Sequence, residues 1–178
     1  MPLKPLPLDQ INEMAEADYV AALGFLFEHS PWVVERSAAH RPFATTEAMM
    51  SAFGTVLETA SREEVLGLLN AHPDLAGKAA RAGKLTAHST KEQAAAGLNS
   101  LTEDEYDRFH YWNRAYHDKY GIPFIICVRN HDRAAILAAM ETRSQSHRTV
   151  DEEVSTALDE VLAIVRHRLK EVVHDPSR

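Results

Sequence analysis

Apolar residues recur every three or four positions over most of this 178-residue chain, and this spacing constrains the fold more than any other feature. It is clearest over residues 151–173, where one helical face would carry Val154, Leu158, Val161, Leu162, Val165 and Leu169. The low content of turn formers, 7 Gly and 8 Pro, argues against a turn-rich β fold. The sequence therefore predicts an all-α, single-domain helical bundle over residues 1–178.

One internal stretch and the two ends depart from helical spacing. Residues 121–128 (GIPFIICV) are apolar, rich in β-branched residues and punctuated by Gly and Pro, which predicts a short, buried, extended segment near 122–128. Residues 1–8 are interrupted by prolines, so we expect an extended N-terminal arm. We expect residues 174–178 to be frayed.

Charge and cysteine content exclude several classes of function. A formal charge of −7 and a pI near 5.8, without a basic stripe, argue against a nucleic-acid partner. The single cysteine, Cys127, lies in an apolar run and cannot form an intramolecular disulfide, which favours a reducing cytoplasm. We find no targeting signal and no run near the roughly 20 apolar residues of a membrane span, so no membrane partner is expected.

The motifs of cofactor and metal enzymes are absent from the sequence. It has no Gly-rich dinucleotide fingerprint, no P-loop, no Gly-x-Ser-x-Gly elbow and no paired cysteines for zinc. His88 and Glu92 could share a helical face, but two ligands are too few for a metal without distant partners. The sequence therefore predicts neither a cofactor nor a metal.

A histidine at a predicted helix exit is the first candidate for chemistry. Pro73 disfavours the α conformation at His72, so the preceding helix should end at or just before His72. The imidazole there has two interpretations. It can be a helix C-terminal residue that the helix dipole favours, or a group that titrates near neutral pH and moves protons on a small substrate.

The second candidate is Ser89 with Glu92, which has the Ser-x-x-Glu form of a capping box and would begin a helix. The same form occurs at Ser61 with Glu64 and at Thr102 with Glu105, so spacing does not distinguish a cap from a catalytic carboxylate. Gln93 has no capping role and is the more suggestive neighbour.

Four motifs taken together resemble a known family. They are EHSPWVVER with RPF (residues 28–43), HPDLAGKAA (72–80), LTAHSTKEQAAAGL (85–98) and KYGIPFIICV (119–128). In this order and over nearly the whole chain, they are similar to the 2-oxo-4-hydroxy-4-carboxy-5-ureidoimidazoline (OHCU) decarboxylase family of ureide metabolism. The resemblance implies a cofactor-independent, all-helical, usually dimeric lyase that converts OHCU to (S)-allantoin at the end of urate oxidation.

The resemblance also implies roles for individual residues. His72 and Glu92 match the family's catalytic pair. The matching substrate-binding positions are Pro73, Ser89, Gln93 and the segment 121–126, including Phe124, Ile125 and Ile126. The family's pocket also uses a late arginine, for which Arg166 is preferred to Arg168. These two arginines point about 200° apart on one helix, so they cannot both face one site.

The chemistry that the resemblance implies needs no cofactor, because OHCU carries a C=N bond beside the carbon that loses CO2. We expect His72 to take or share the proton of the adjacent hydroxyl, while Glu92, Ser89 and Gln93 hold the polar groups of the substrate. Two alternatives stay open: a non-catalytic helical interaction module, and a decarboxylase of a related ureido or imidazoline acid.

Overall fold

The fold is built almost entirely from helices, as the apolar spacing predicts. The structure, a computed structural model, describes residues 5–175 and has ten α-helices within that range. They are α1 (Leu8–Glu13), α2 (Glu16–Leu23), α3 (Trp32–Ser37), α4 (Thr46–Thr59), α5 (Arg62–Asn70), α6 (Lys78–Arg81), α7 (Ala87–Ala95), α8 (Glu103–Tyr120), α9 (Arg133–Gln145) and α10 (Val150–Val172). Short 3-10 turns occupy Gly24–Leu26, Ala38–His40 and Val128–Asn130. The all-α prediction is confirmed.

The described residues form two compact units, and α10 contributes to both. One unit contains the chain up to Ala71 together with the stretch from Leu162 onward, and the other contains His72–Val161. The prediction of a single domain over 1–178 stays a prediction.

The first unit packs aromatic and aliphatic side chains from α1 to α5 and the end of α10. Phe27 meets Phe53 edge-on with ring centres 5.3 Å apart, and both rings are buried. Edge-on contact places the positive rim of one ring against the negative face of the other, which adds to the stabilisation from burial. Two-residue strands, β1 (Leu6–Pro7) and β2 (Val173–His174), pair in parallel in this unit.

The second unit packs the inner faces of α8, α9 and the first half of α10 around the apolar segment 122–128. Tyr116 of α8 meets Phe124 edge-on at 5.3 Å, and both are fully buried. Every residue from 122 to 128 is buried, and residues 123–127 are neither helix nor strand. The predicted buried segment is therefore confirmed as non-helical over residues 123–127, although it is not paired as a strand and Val128 begins a 3-10 turn.

Both ends are more ordered than the sequence suggests. The predicted arm over 1–8 is wrong at Leu8, which is buried and begins α1. The predicted fraying over 174–178 is wrong at its start, because His174 lies in β2 and the Asp175 carboxylate accepts a hydrogen bond from the Thr46 backbone N–H at 2.8 Å. Residues 1–4 and 176–178, which complete these two predictions, lie outside the described residues.

The ends of two helices follow the sequence rules closely. Capping boxes at Ser61 with Glu64 and at Thr102 with Glu105 begin α5 and α8, as predicted. Gly121 ends α8 with φ of +71°, a left-handed conformation that glycine adopts without steric cost. Of the helices described, none combines the length and the apolar character needed to cross a membrane.

Candidate active site

The site begins where α5 ends. The last helical residue is Asn70 and the cap is Ala71, so the helix ends just before His72, as Pro73 predicts. The backbone turns there, and His72 and Pro73 are both half-buried. The imidazole therefore lies at a helix exit at the start of the second unit.

The loop after His72 has an unusual backbone conformation. Hydrogen bonds to side chains of two helices stabilise it. Ala76 has φ of +51°, a left-handed conformation that costs an L-residue about 1–2 kcal/mol. Its N–H donates to Gln93 Oε1 at 2.9 Å, and Asn113 Nδ2 donates to the Leu75 carbonyl at 2.9 Å. These bonds tie the His-Pro-Asp turn to α7 and α8.

Close packing restricts the same loop at Gly77. A Cβ at this position would lie 2.8 Å from Cβ of Asp74, a distance at which two carbon atoms clash. Glycine is therefore required because Asp74 lies too close for a side chain. The backbone of Gly77 is extended, so its conformation alone would accept other residues. The turn that follows His72 is therefore compact at Asp74 and Gly77.

The predicted capping box at Ser89 and Glu92 is wrong. The cap of α7 is Thr86, whose hydroxyl accepts the Ser89 backbone N–H at 3.3 Å. The helix begins at Ala87, so Ser89 is its third residue and Glu92 lies in its second turn. The error has a simple cause: threonine caps helices well, and Thr86 precedes Ser89 by one helical turn. The side chains of Ser89 and Glu92 are therefore not required to begin the helix.

Polar side chains occupy the buried face of α7. Ser89, Glu92 and Gln93 are 7%, 9% and 6% exposed, and their spacing of three and four places them on one side of the helix. An ordinary amphipathic helix buries apolar groups there, because a buried polar group costs free energy unless it is hydrogen-bonded. This reversal is the strongest structural sign of a functional site in the second unit.

The end of the segment 122–128 lies close to α7. The 3-10 turn Val128–Asn130, which continues the segment, contacts α7. Burial raises the pKa of the Cys127 thiol, and the negative charges of Glu160 and Glu92 raise it further. The charge of Glu92 therefore acts on the end of the segment whose backbone the resemblance places in the pocket.

A sizeable cavity has Gln93 in its lining but lies away from His72 and Glu92. It measures about 340 Å³, and its lining includes Ala76, Arg81, Gln93 and Tyr106. Among the described residues that line it, neither His72 nor Glu92 is present. Arg81 already pairs with Glu103 at 2.9 Å and lies 3.3 Å above the Tyr106 ring. We therefore regard the buried polar face, and not this cavity, as the candidate active site.

The two late arginines make different contacts within the first unit. Arg166, whose side chain is 43% exposed, pairs with both carboxylate oxygens of Glu47 at 2.5 and 2.6 Å. Arg168 is buried and pairs with Glu28 at 3.3 Å. They bind different carboxylates, as their angular separation on the helix requires. The role of Arg166 in substrate binding stays a prediction.

Sequence reasoning missed a second polar network in the same unit as α7. Glu153 is fully buried and accepts hydrogen bonds from Tyr116 at 2.5 Å and from Arg143 at 2.9 Å. Glu160 accepts the Cys127 N–H at 2.7 Å. The signal available in the sequence was the spacing of Glu153 and Glu160, which lie seven residues apart and so share the inner face of α10. In the part of the chain that is described, no group of three or more His, Cys, Asp or Glu side chains could hold a metal ion.

Comparison with known sequences gives a consistent result. The sequence model of one family, OHCU decarboxylase, matches residues 12–170. A protein of Haloferax volcanii named 2-oxo-4-hydroxy-4-carboxy-5-ureidoimidazoline decarboxylase is 41% identical over 166 residues, which cover 93% of this chain and 95% of that protein.

Solved structures give the same fold. A crystal structure of (S)-allantoin synthase matches with a TM-score of 0.72 and 30% identity over 94% of this chain, which spans about half (54%) of that longer chain. A crystal structure of OHCU decarboxylase in the presence of (S)-allantoin matches with a TM-score of 0.61 over 79% of this chain and 89% of that one. At 18% identity, the second match supports the fold alone.

Proposed function

Because the chain belongs to the OHCU decarboxylase family, we propose that it decarboxylates OHCU to (S)-allantoin in urate degradation, with its active site at His72 and the polar face of α7. One observation carries the proposal for the site: α7 buries Ser89, Glu92 and Gln93 on one side. A helix with a packing role alone buries apolar side chains on its inner face, so three polar side chains in that position point to a further role.

The reaction requires a place for the electrons that the departing carboxylate leaves behind. When the C–CO2 bond breaks, its electron pair forms a C=C bond to the neighbouring carbon, the π pair of the C=N bond moves onto the nitrogen, and the nitrogen gains a proton. The hydroxyl on the same carbon then loses its proton and becomes a carbonyl as the neighbouring carbon is protonated. The substrate thus supplies its own electron sink, and the enzyme has to position it and move protons.

His72 is the base in this proposal. Its ring lies at a helix exit, in a half-buried position that a small substrate can reach. An imidazole titrates near neutral pH, so it can accept the hydroxyl proton and return it in the same cycle. The bonds that Gln93 and Asn113 make to the following loop hold the turn in place.

Glu92, Ser89 and Gln93 hold the polar groups of the substrate in this proposal. The Gln93 carboxamide oxygen accepts the Ala76 N–H, which leaves its NH2 group as a donor for a carbonyl of the ureido group or the ring. The Glu92 carboxylate accepts N–H groups and fixes which face of the intermediate is protonated, which accounts for a single enantiomer. Pro73 and the backbone of residues 124–126 form the wall of the pocket.

Three further features belong to the same proposal. Arg166 holds the carboxylate or a carbonyl of the substrate through paired N–H donors, a geometry that arginine favours. The enzyme acts as a homodimer in the cytoplasm. Mass measured in solution tests the dimer, since one chain has a mass of 19.9 kDa.

A rate measurement on freshly generated OHCU tests the function, with circular dichroism reporting the handedness of the allantoin formed. His72→Gln should lower kcat/KM by about 100-fold or more, because a positioned acid or base contributes at least that much. His147→Gln is the matched control, since His147 is exposed in the loop between α9 and α10. Near-normal turnover by His72→Gln would exclude the proposed role. Turnover of a related ureido acid but not of OHCU would overturn the substrate assignment.

A further inference from the structure

The segment 124–127 lacks the backbone partners that an extended stretch has in a sheet. The strands paired in residues 5–175 are β1 and β2, and the segment is part of neither. Buried backbone N–H and C=O groups nevertheless need hydrogen bonds. Side chains supply two of them: Glu160 Oε2 accepts the Cys127 N–H at 2.7 Å, and Arg143 Nη1 donates to the Ile125 carbonyl at 2.9 Å.

The arginine that binds Ile125 is itself held rigidly. Its Nε donates to Glu153 Oε2 at 2.9 Å, and its Nη2 lies 2.8 Å from the same oxygen and 3.0 Å from the Tyr116 hydroxyl. Its guanidinium also lies 4.6 Å from the centre of the Phe124 ring. A guanidinium with hydrogen bonds from each of its three nitrogens is fixed in orientation. Arg143 therefore holds both the backbone and a side chain of the segment.

A second residue that holds the segment, Glu160, lies two helical turns after Glu153 in α10. Glu153 and Glu160 are seven residues apart and therefore share one face of the helix. Glu160 holds the N–H of Cys127, while the charge of Glu92 acts on the thiol of the same residue. Cys127 thus lies within reach of two carboxylates, one on α10 and one on α7.

We propose that Glu160 and Arg143 are positioning residues for the active site, which hold the backbone of residues 124–127 at a fixed distance from Glu92. The proposal rests on the proposed function, because it assumes that this backbone lines the substrate pocket. Neither residue is required to touch the substrate. Loss of an anchor lets the pocket wall move, and a displacement of about 1 Å is enough to lower a rate by two orders of magnitude.

Kinetics of three variants test the anchor at Glu160. Glu160→Ala removes the acceptor and should lower kcat/KM about tenfold, mainly through KM, as expected for the loss of one hydrogen bond to a charged group. Glu160→Gln keeps an acceptor oxygen and should recover most of the loss. Asp159→Ala removes an exposed carboxylate from the neighbouring position of α10 and should match the unchanged enzyme.

The single cysteine gives a second measurement that does not depend on activity. Cys127 is fully buried, so its reaction with a thiol reagent requires local opening of the segment. Glu160→Ala should raise the labelling rate about tenfold, since opening then breaks one bond fewer. Glu160→Gln also removes the negative charge, so it separates loss of the anchor from a direct effect of charge on the thiol.

The outcomes are distinct. Labelling and kinetics of Glu160→Ala equal to those of Asp159→Ala would overturn the proposal, as would equal labelling of Glu160→Ala and Glu160→Gln. If Glu160→Ala does not fold, Glu160→Asp replaces it, because the shorter side chain keeps the charge and withdraws the acceptor; normal labelling and KM there would also overturn the proposal. An unchanged enzyme that does not turn over OHCU would overturn the proposed function and the positioning role with it, while labelling would still show whether the anchor exists.

Discussion

The start of α8 and the interior of α7 carry the same four-residue pattern and use it in opposite ways. At Thr102 with Glu105, the two side chains exchange hydrogen bonds with the backbone, in contact with solvent, and begin the helix. At Ser89 with Glu92, the pattern lies inside a helix that Thr86 has already begun, and both side chains are buried. The spacing of the two residues is the same in both places, but the solvent exposure of their side chains differs.

The Ser/Thr-x-x-Glu pattern alone does not distinguish a helix cap from a pair of buried side chains. The pattern indicates that each of the two side chains can reach the other residue's backbone at a helix end. It does not state where the helix ends. At α7, Thr86 caps the helix one turn earlier, so Ser89 and Glu92 lie inside the helix on its buried face. Polar residues that are not needed as caps and are nevertheless buried indicate function.

Removal of the same charge in both places should show the largest difference between the two sites. Glu92→Gln should lower kcat/KM for OHCU by at least about 100-fold, because the carboxylate is proposed to act on the substrate. Glu105→Gln should leave kcat/KM unchanged and lower the melting temperature slightly, because the capping box loses its charged acceptor. Steady-state kinetics and thermal unfolding of both variants provide the measurements.

The structure also makes a result at Glu92 easier to interpret. Replacement of a capping glutamate acts through helix stability, whereas Glu92 lies in the second turn of α7 and is not needed to begin the helix. If Glu92→Gln lowered the melting temperature as far as Glu105→Gln and kept its activity, the two sites would be equivalent and the comparison would fail.

A smaller effect should distinguish the true cap of α7 from the apparent one. Thr86→Ala removes the acceptor of the Ser89 N–H and should lower the free energy of unfolding by about 1 kcal/mol. Ser89→Ala removes no cap, so it should change stability less and raise KM for OHCU instead. Urea denaturation and kinetics of the two variants test this. A larger stability loss for Ser89→Ala than for Thr86→Ala would contradict this prediction.

The smallest effect concerns the exposed capping box of α5. A hydrogen bond from the Arg36 side chain and another from the Ser61 backbone lower the pKa of Glu64 from 4.5 to about 2. Because the folded pKa lies below the unfolded one, the stabilisation is present above pH 4.5 and is lost as the pH falls towards about 2. The difference in melting temperature between the unchanged protein and Glu64→Gln should therefore shrink over this range. A constant difference would contradict the prediction.

Local rules predicted the parts of the fold that depend on neighbouring residues. Pro73 ended α5 before His72, two capping boxes began α5 and α8, and Gly121 ended α8. Each of these outcomes follows from sterics or from hydrogen bonds within one turn of the chain. The apolar spacing predicted the helices themselves for the same reason.

Contacts between distant residues were not predictable in this way. The pairing of Leu6 with Val173, and the bond between Cys127 and Glu160, join residues far apart in the chain. No periodicity reports such a pairing, because each partner has an ordinary local role. The proposed catalytic roles of His72 and Glu92 came from the resemblance to a family, since spacing left each residue with two interpretations.

The left-handed turn at Ala76 limits which sequences the loop can tolerate during evolution. A β-branched residue at position 76 would be strained, and any side chain at Gly77 would collide with Asp74. Substitutions at these two positions should disturb the loop that follows His72. In a random mutagenesis screen, inactive variants should therefore cluster at positions 76 and 77 as well as at His72 and Glu92. Second-site changes that restore the backbone turn should rescue the loop variants.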